Sequence, residues 1–265
     1  MRIIVPVKQV PETNAVKMDE ATGTMIRDGV EAIVNPLDLY AIEIAIRLRE
    51  AHGGEVVAVS MGPPKAVKAV KEAVAMGCDS GVLVSDKAFA GSDTWATSYV
   101  LAEAIKTLGD YQLIICGERA TDGDTGQVGP GIAAWLNLPV ATYVSKVEGV
   151  QDGACRCQRL VEEGYEVLDV TTPAVLTVVK EVADPRLPTL RGKQKARKLD
   201  VPSIGVTEMT VETENLGLKG SPTRVVKIFR PKVARQCRKI VANDEQSIDQ
   251  AADELVAFLR EKELI

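Results

Sequence analysis

The segment most able to do chemistry is Cys116-Gly117-Glu118-Arg119-Ala120-Thr121-Asp122-Gly123-Asp124-Thr125-Gly126-Gln127-Val128-Gly129-Pro130-Gly131. It follows an apolar run, leads into a helical one, and from Gly117 onward holds five glycines in fifteen residues. Glycine lets backbone amides approach a ligand closely and adopt positive φ. A helix N-terminus beyond it offers unpaired N–H groups and the positive end of a dipole, a combination that suits phosphate. The dipole contributes about 0.3–1 kcal/mol to an anion there, and about 2 kcal/mol when the site is partly buried. The segment is neither the G-x-x-x-x-G-K loop nor the G-x-G-x-x-G turn. It also lacks the Ser-Gly-Gly-x-Asp-Ser loop with which ATP-cleaving proteins of related architecture hold pyrophosphate. Two readings stay open on this segment alone. One is a nucleotide site that does not hydrolyse; the other is a glycine-rich turn in which Asp124 or Thr125 caps a helix.

Other loops favour the first reading. Ligands of open α/β sheets bind at the carboxyl ends of the strands. Three further loops at that edge are distinctive: Pro6-Val7-Lys8, Asn35-Pro36-Leu37-Asp38 and Met61-Gly62-Pro63-Pro64. Together they are expected to wall an adenosine moiety. Covalent catalysis finds less support. The single histidine, His52, sits at a helix C-terminus before Gly53-Gly54, where a cation beside the last carbonyls is explanation enough. Cys78, Cys116 and Cys237 are scattered, and Cys155-Arg156-Cys157 has no second pair to complete a zinc site. These read as free thiols of a reducing compartment. No metal site and no acid–base catalyst is assigned.

Composition agrees. The chain has 265 residues, 46% hydrophobic and 26% charged, with a net charge of −5. That acidity argues against general nucleic-acid binding. No apolar run reaches the ~18 residues of a membrane span, and Met1–Lys8 reads as a strand rather than a signal peptide. The expected location is cytoplasmic.

The elements that must position these loops follow from hydrophobic period. Ile3–Val7, Val56–Ser60, Val82–Ser85, Leu113–Cys116, Thr142–Val144 and Val175–Val179 are β-branched runs with few charges, as buried parallel strands require. Between them fall amphipathic helices. One begins at Asn35 (N-cap) and Pro36 (first position), with Leu37, Ala41, Ile44, Ala45 and Leu48 inward. Others follow Pro63-Pro64, start near Asp93-Thr94, and run from about Gln127 to Leu136. The alternation predicts an α/β fold with a mostly parallel, doubly wound, Rossmann-like sheet. Gln151–Thr171, turning at Glu162-Glu163-Gly164, adds a β-hairpin. After Val182 about forty residues punctuated by Pro185, Pro188, Pro202 and Pro222 show little periodicity. They read as an appendage on another surface that clasps a partner chain. A strand, Arg224–Phe229, and a helix, Ser247–Lys262 with Ile248, Ala252, Leu255 and Leu259 on one side, end the chain. The expected organisation is a nucleotide-binding domain over 1–182, a recognition loop over 183–200 and a C-terminal arm over 201–265.

Several stretches resemble the electron-transfer flavoprotein beta subunit: Lys8-Gln9-Val10-Pro11, Asp28-Gly29-Val30, Asn35 to Ala41, Ala75 to Asp79 and the loop from Gly117 to Val128. The most specific are Val161-Glu162-Glu163-Gly164-Tyr165-Glu166-Val167 with Thr172 to Val178, and Asp184-Pro185-Arg186-Leu187-Pro188-Thr189-Leu190. The resemblance covers essentially the whole chain. It implies a heterodimer with a flavin-carrying alpha subunit, which the C-terminal arm of this chain would embrace. Carried over by position, the nucleotide-site residues are Pro6, Asn35, Pro36, Leu37, Asp38, Met61 and each residue from Gly117 to Val128. Lys8 and Gly62 join them from the strand-edge reading. Leu190 would be the apolar anchor that enters a partner dehydrogenase, flanked by Arg191, Lys193, Lys195, Arg197 and Lys198 to steer an acidic surface.

Members of this family differ in what fills the beta-chain site. In respiratory members it is AMP; in electron-bifurcating members it is an FAD that takes hydride from NADH. Bifurcation sends one electron toward ferredoxin and the other, through the alpha-subunit FAD, to an acyl-CoA dehydrogenase. Asp122-Gly123-Asp124-Thr125-Gly126, Met61 to Pro64, Asp93 to Ser98, Arg191-Gly192-Lys193 and Gly220-Ser221-Pro222-Thr223 resemble the anaerobic, bifurcating type. Gly123 stands where respiratory chains carry an acid. Asp93, Thr94 and Thr97 would reach the extra length of FAD. The alternatives are an AMP-holding carrier, an ATP-binding stress or signalling protein, and an adenylating or ATP-hydrolysing enzyme.

Overall fold

The structure is a computed structural model that describes residues 1–12, 32–226 and 239–265. Two compact units are present, Met1–Val226 and Lys227–Ile265. The sequence readings Asp28-Gly29-Val30 and Cys237 lie outside the described residues.

The first unit is built on β1 (Arg2–Pro6), whose central Ile3, Ile4 and Val5 are β-branched and wholly buried. A small antiparallel ribbon follows, β2 (Gln9–Pro11) with β3 (Ala32–Val34). Then come α1 (Asp38–His52), β4 (Glu55–Met61), a short 3-10 turn, α2 (Val67–Met76), β5 (Ser80–Val84), α3 (Thr94–Thr107), β6 (Leu113–Gly117) and α4 (Val128–Leu136). β7 (Val140–Gln151), β8 (Ala154–Val161), β9 (Gly164–Thr171), β10 (Ala174–Val178), α5 (Leu190–Lys198) and β11 (Ser203–Ile204) complete it.

Nine strands form one sheet in the order β11-β5-β4-β1-β6-β10-β7-β8-β9. The strands from β11 to β7 pair in parallel, and β8 and β9 add antiparallel. Side chains alternate between two cores. Ile3, Val5, Val56, Ala58, Leu113 and Ile115 pack under α1 and α2. Ile4, Val57, Val59, Ile114 and Cys116 pack under α3 and α4. Both faces are thus covered, which is why these strands read as continuous apolar runs. Winding goes from β1 outward through β4 and β5, then returns to β6 on the other side of β1. The loops after β1 and β6 therefore flank the point where winding reverses, the place where open α/β sheets open a crevice.

Close approach of α4 to the sheet fixes that crevice's floor. A Cβ on Gly129 would lie 2.5 Å from Thr177 Cγ2, on β10. Gly129→Val is expected to lower stability by about 1–3 kcal/mol, the usual cost of overpacking. A urea-unfolding midpoint equal to wild type would show that α4 can move away freely.

Several sequence expectations change. Helix α1 does not start on an Asn35 cap. Its N-cap is Leu37, without a side-chain hydrogen bond, and the helix begins at Asp38. The hairpin is a three-stranded meander, because β7 continues for 12 residues and pairs along β8. The Pro-punctuated segment is not structureless and does not lie apart. α5 packs on α2, and β11 is an edge strand of the main sheet beside β5. Arg224, Val225 and Val226 are not in a strand, and the remainder of the expected strand lies outside the described residues. In the second unit, α6 (Glu245–Glu261) is capped by Asp244, whose carboxylate accepts from Ser247 N. No residue of α6 is buried within the chain; Ile248, Leu255 and Phe258 are exposed.

Candidate functional site

The β2–β3 ribbon brings Asn35 beside Lys8. Gln9 pairs with Val34, and the Asn35 amide donates to Lys8 O at 2.8 Å. Asn35 is buried and its side chain crosses to the loop after β6. Its Nδ2 donates to Arg119 O and to Asp38 Oδ1, both at 2.9 Å, and its Oδ1 accepts from Thr121 N at 3.1 Å. Asn35 is thus a latch between the loop after β6 and the start of α1, where sequence pattern alone suggests a helix cap.

Asp38 completes the latch. Its Oδ2 accepts from Lys8 N at 2.7 Å. Burial pushes its pKa up from 3.8 to about 7, against the opposing pull of the Lys8 amide, the Asn35 amide group and the Lys8 charge. Gly117 is required alongside: a Cβ there would lie 2.5 Å from Asp38 Oδ1 and 2.9 Å from the Leu37 backbone. Because the folded pKa is raised, ionising Asp38 opposes folding. Its contribution is fully favourable below about 3.8 and is lost as pH rises toward about 7. Relative to Asp38→Asn, wild type should lose stability across that window at up to about 1.4 kcal/mol per pH unit. Urea unfolding of both proteins at several pH values reads this directly; a difference that stays flat with pH contradicts it.

The loop's tip is open. Residues 121–125 are exposed, Gly123 has open space where a Cβ would be, and Asp124 and Gly126 take positive φ (55° and 65°). Two ion pairs fold the tip back, Lys8 Nζ to Asp122 Oδ1 at 2.7 Å and Arg119 Nε to Asp124 Oδ1 at 3.0 Å. Neither Asp124 nor Thr125 caps α4. Its N-cap is Gln127, with no side-chain hydrogen bond. The N-termini of α1, of the 3-10 turn at Pro64–Ala66 and of α2 also lack side-chain caps, whereas α3, α5 and α6 have them.

The structure therefore gathers Lys8, Asn35, Asp38 and the loop from Gly117 to Val128 at one sheet edge. Pro6 is buried at the end of β1, Pro36 and Leu37 lead into α1, and Met61-Gly62 closes β4, with Gly62 N donating to Val84 O at 3.0 Å. Asp93 is already committed. Its Oδ1 caps α3 through Ala96 N at 3.1 Å, and its Oδ2 accepts from Thr223 N and Oγ1 at 2.9 and 2.7 Å. Thr94 and Thr97 are half-buried in the first turn of α3. Beside them an open depression is lined by Trp95, Glu214, Lys219, Gly220, Ser221 and Pro222.

The partner-facing residues divide. Leu190 is 81% exposed but begins α5 rather than lying in a loop. Arg191, Lys193 and Arg197 are exposed. Lys195 is not a free cation: its Nζ donates to Asp79 O at 2.7 Å and Cys78 O at 3.3 Å beyond α2. Sequence reasoning missed Glu43, Glu50 and Leu187. Leu187 is 87% exposed next to Arg186, whose guanidinium grips both acids. Cys155 and Cys157 share the buried side of β8 as free thiols, and burial pushes Cys155 up to about 12.

A doubly wound sheet with its chemically distinct loops meeting at the reversal point defines an α/β architecture that places ligand-binding crevices at that edge. Comparison with known proteins narrows the class. The family described as "Electron transfer flavoprotein domain" matches residues 22–209. The chain is 44% identical to "Electron transfer flavoprotein subunit beta" of Thermoanaerobacterium thermosaccharolyticum, over 96% of this chain and 98% of that one. It is 42% identical to "Caffeyl-CoA reductase-Etf complex subunit CarD" of Acetobacterium woodii, over the full length of both. It is 39% identical to "Acryloyl-CoA reductase electron transfer subunit gamma" of Anaerotignum propionicum, over 97% of this chain and 98% of that one. The chain belongs to the electron transfer flavoprotein family and is similar along its length to beta subunits. Among the described residues no helix is long and apolar enough to cross a membrane.

Proposed function

We propose that this chain is the beta subunit of an electron-bifurcating flavoprotein and holds FAD, not AMP, in the crevice between Lys8, Asn35 and the loop from Gly117 to Val128. The supporting observation is the pair of uncapped helix N-termini, of α1 and α4, beside a latched, glycine-rich loop with an open tip. Such N-termini favour a diphosphate without cleaving it. Asn35 holds Thr121 N and Arg119 O of the loop in place, Asp38 holds Lys8 N and the Asn35 side chain, and Gly117 keeps α1 close. Lys8 and Arg119 supply cations that a diphosphate can draw from Asp122 and Asp124. The bound flavin supplies hydride acceptance from NADH and release of single electrons. No side chain at this edge is assigned a proton-transfer role.

The exposed Leu187 and Leu190, with Arg191, Lys193 and Arg197, suit docking on an acyl-CoA dehydrogenase. The apolar residues of α6, Ile248, Leu255 and Phe258 among them, suit an alpha subunit. Relatives named for caffeyl-CoA and acryloyl-CoA reductases favour the bifurcating reading over a carrier with structural AMP.

The test is anaerobic mixing of the purified heterodimer with NADH, ferredoxin, the dehydrogenase and its enoyl-CoA. Ferredoxin should be reduced only while enoyl-CoA is present. A mixture showing neither NADH oxidation nor ferredoxin reduction, the result expected of a chain without a hydride-accepting flavin, would return the protein to the AMP-carrier reading.

A further inference from the structure

The Glu43–Arg186–Glu50 cluster lies away from the nucleotide crevice and explains how two exposed leucines are held. Glu43 and Glu50 stand seven apart on α1 and so share one helix face. Arg186 Nε and Nη2 donate to the two Glu43 oxygens at 2.8 and 3.2 Å. Its Nη1 and Nη2 donate to the two Glu50 oxygens at 2.6 and 3.0 Å. Even its backbone N donates to Glu43 Oε2, at 3.1 Å. Arg47 joins the same carboxylate at 2.6 Å and reaches Asp184 O at 3.2 Å. Glu43 is only 2% exposed. Taking a carboxylate out of water costs several kcal/mol, and apolar packing would hold the segment with less penalty. What a doubly bidentate guanidinium adds is a fixed orientation.

The next five residues are fixed at their far end as well. Thr189 Oγ1 accepts from Gly192 N at 3.0 Å, and Gly192 lies so close to Ala75 O that no side chain fits there. Between these two anchorages stand Leu187 and Leu190, 87% and 81% exposed. Apolar side chains this exposed on backbone this constrained do nothing for the fold of the chain. They match a pre-organised anchor, which binds better because little has to be ordered on contact.

We infer that Glu43 and Arg186 are positioning residues: their clamp, with Glu50 and Arg47, holds Leu187 and Leu190 together as a two-pronged docking platform. This inference rests on the docking reading given above and adds Leu187 and the clamp to it.

The experiment uses the purified heterodimer with its dehydrogenase and four variants: Arg186→Gln, Arg186→Lys, Glu43→Gln/Arg186→Gln and Leu187→Ala/Leu190→Ala. The double Gln variant guards against an uncompensated buried charge. Arg186→Gln and the double Gln variant should raise the KM for electron transfer about tenfold, the scale of ordering a few side chains on binding. Flavin content and kcat should stay unchanged, and amide exchange of residues 184–190 should quicken. Lys, a point charge without the fork, should restore the KM only in part. A raised KM in the leucine variant with a normal KM in both Gln variants would overturn the clamp alone. A normal KM in the leucine variant would overturn the docking reading and the clamp's role with it. Unchanged exchange over 184–190 in the Gln variants would show that something else orders the segment.

Discussion

Asn35→Ala should yield a folded protein that has lost its nucleotide. The side chain is buried and makes three hydrogen bonds, two of them to the backbone of residues 119 and 121. Alanine leaves Arg119 O and Thr121 N without their partner and removes a donor from Asp38. Each lost partner costs about 1–3 kcal/mol where water cannot substitute. Residues 121–125 are exposed, so the loop escapes most of that cost by loosening instead of unfolding the sheet. The nucleotide then has to order the loop as it binds. A cost of about 3 kcal/mol weakens affinity roughly a hundredfold, enough to strip the cofactor during purification. Absorbance at 450 nm per heterodimer and far-ultraviolet circular dichroism together read the outcome. Full flavin retention would show that the latch does not govern the crevice. Asn35→Asp serves as a control that keeps an acceptor for Thr121 N but removes the donor to Arg119 O, and it should retain an intermediate amount.

The second large effect belongs to Leu190→Ala. A residue 81% exposed at the first turn of α5 contributes almost nothing to folding, and Ala is a better helix former. Thermal stability and cofactor content should therefore match wild type. As an anchor buried in a partner pocket, however, it belongs among the few residues that carry 2 kcal/mol or more. Its truncation should raise the KM for the dehydrogenase about thirtyfold at 2 kcal/mol. Raising salt should weaken coupling further in both proteins, because Arg191, Lys193 and Arg197 steer the encounter through solvent. An unchanged KM in Leu190→Ala would place the docking surface elsewhere.

How much of this is visible in the sequence depends on the range of the force involved. Parallel strands announce themselves because both faces are apolar, and β1, β4, β5, β6 and β10 fall within a residue or two of their expected bounds. Helix α3 starts at Thr94, where the pattern near Asp93-Thr94 suggests. Asn35 is different. Asn-Pro at a helix start is good local evidence for a cap, but the loop amides 84 and 86 residues away are the partners its side chain takes. Helix α5 has no apolar period to detect. Its sequence, Leu-Arg-Gly-Lys-Gln-Lys-Ala-Arg-Lys, buries only Ala196, and it is stabilised by small residues docking on α2. β11 is two residues long and exists because β5 would otherwise present a bare edge. The Arg186 clamp joins residues 136 and 143 apart and has no local signature. The candidate crevice was legible as a set of unusual loops; which side chains lock it was not.

On the proposed function, the edge formed by Lys8, Asn35 and the loop from Gly117 to Val128 holds an intact nucleotide. Heat or acid release from the purified heterodimer, followed by chromatographic identification and quantitation, is the decisive measurement. Two FAD per heterodimer, one of them lost in Asn35→Ala, is the predicted result. A single FAD with no second nucleotide, or ADP accumulating from added ATP, would contradict the claim.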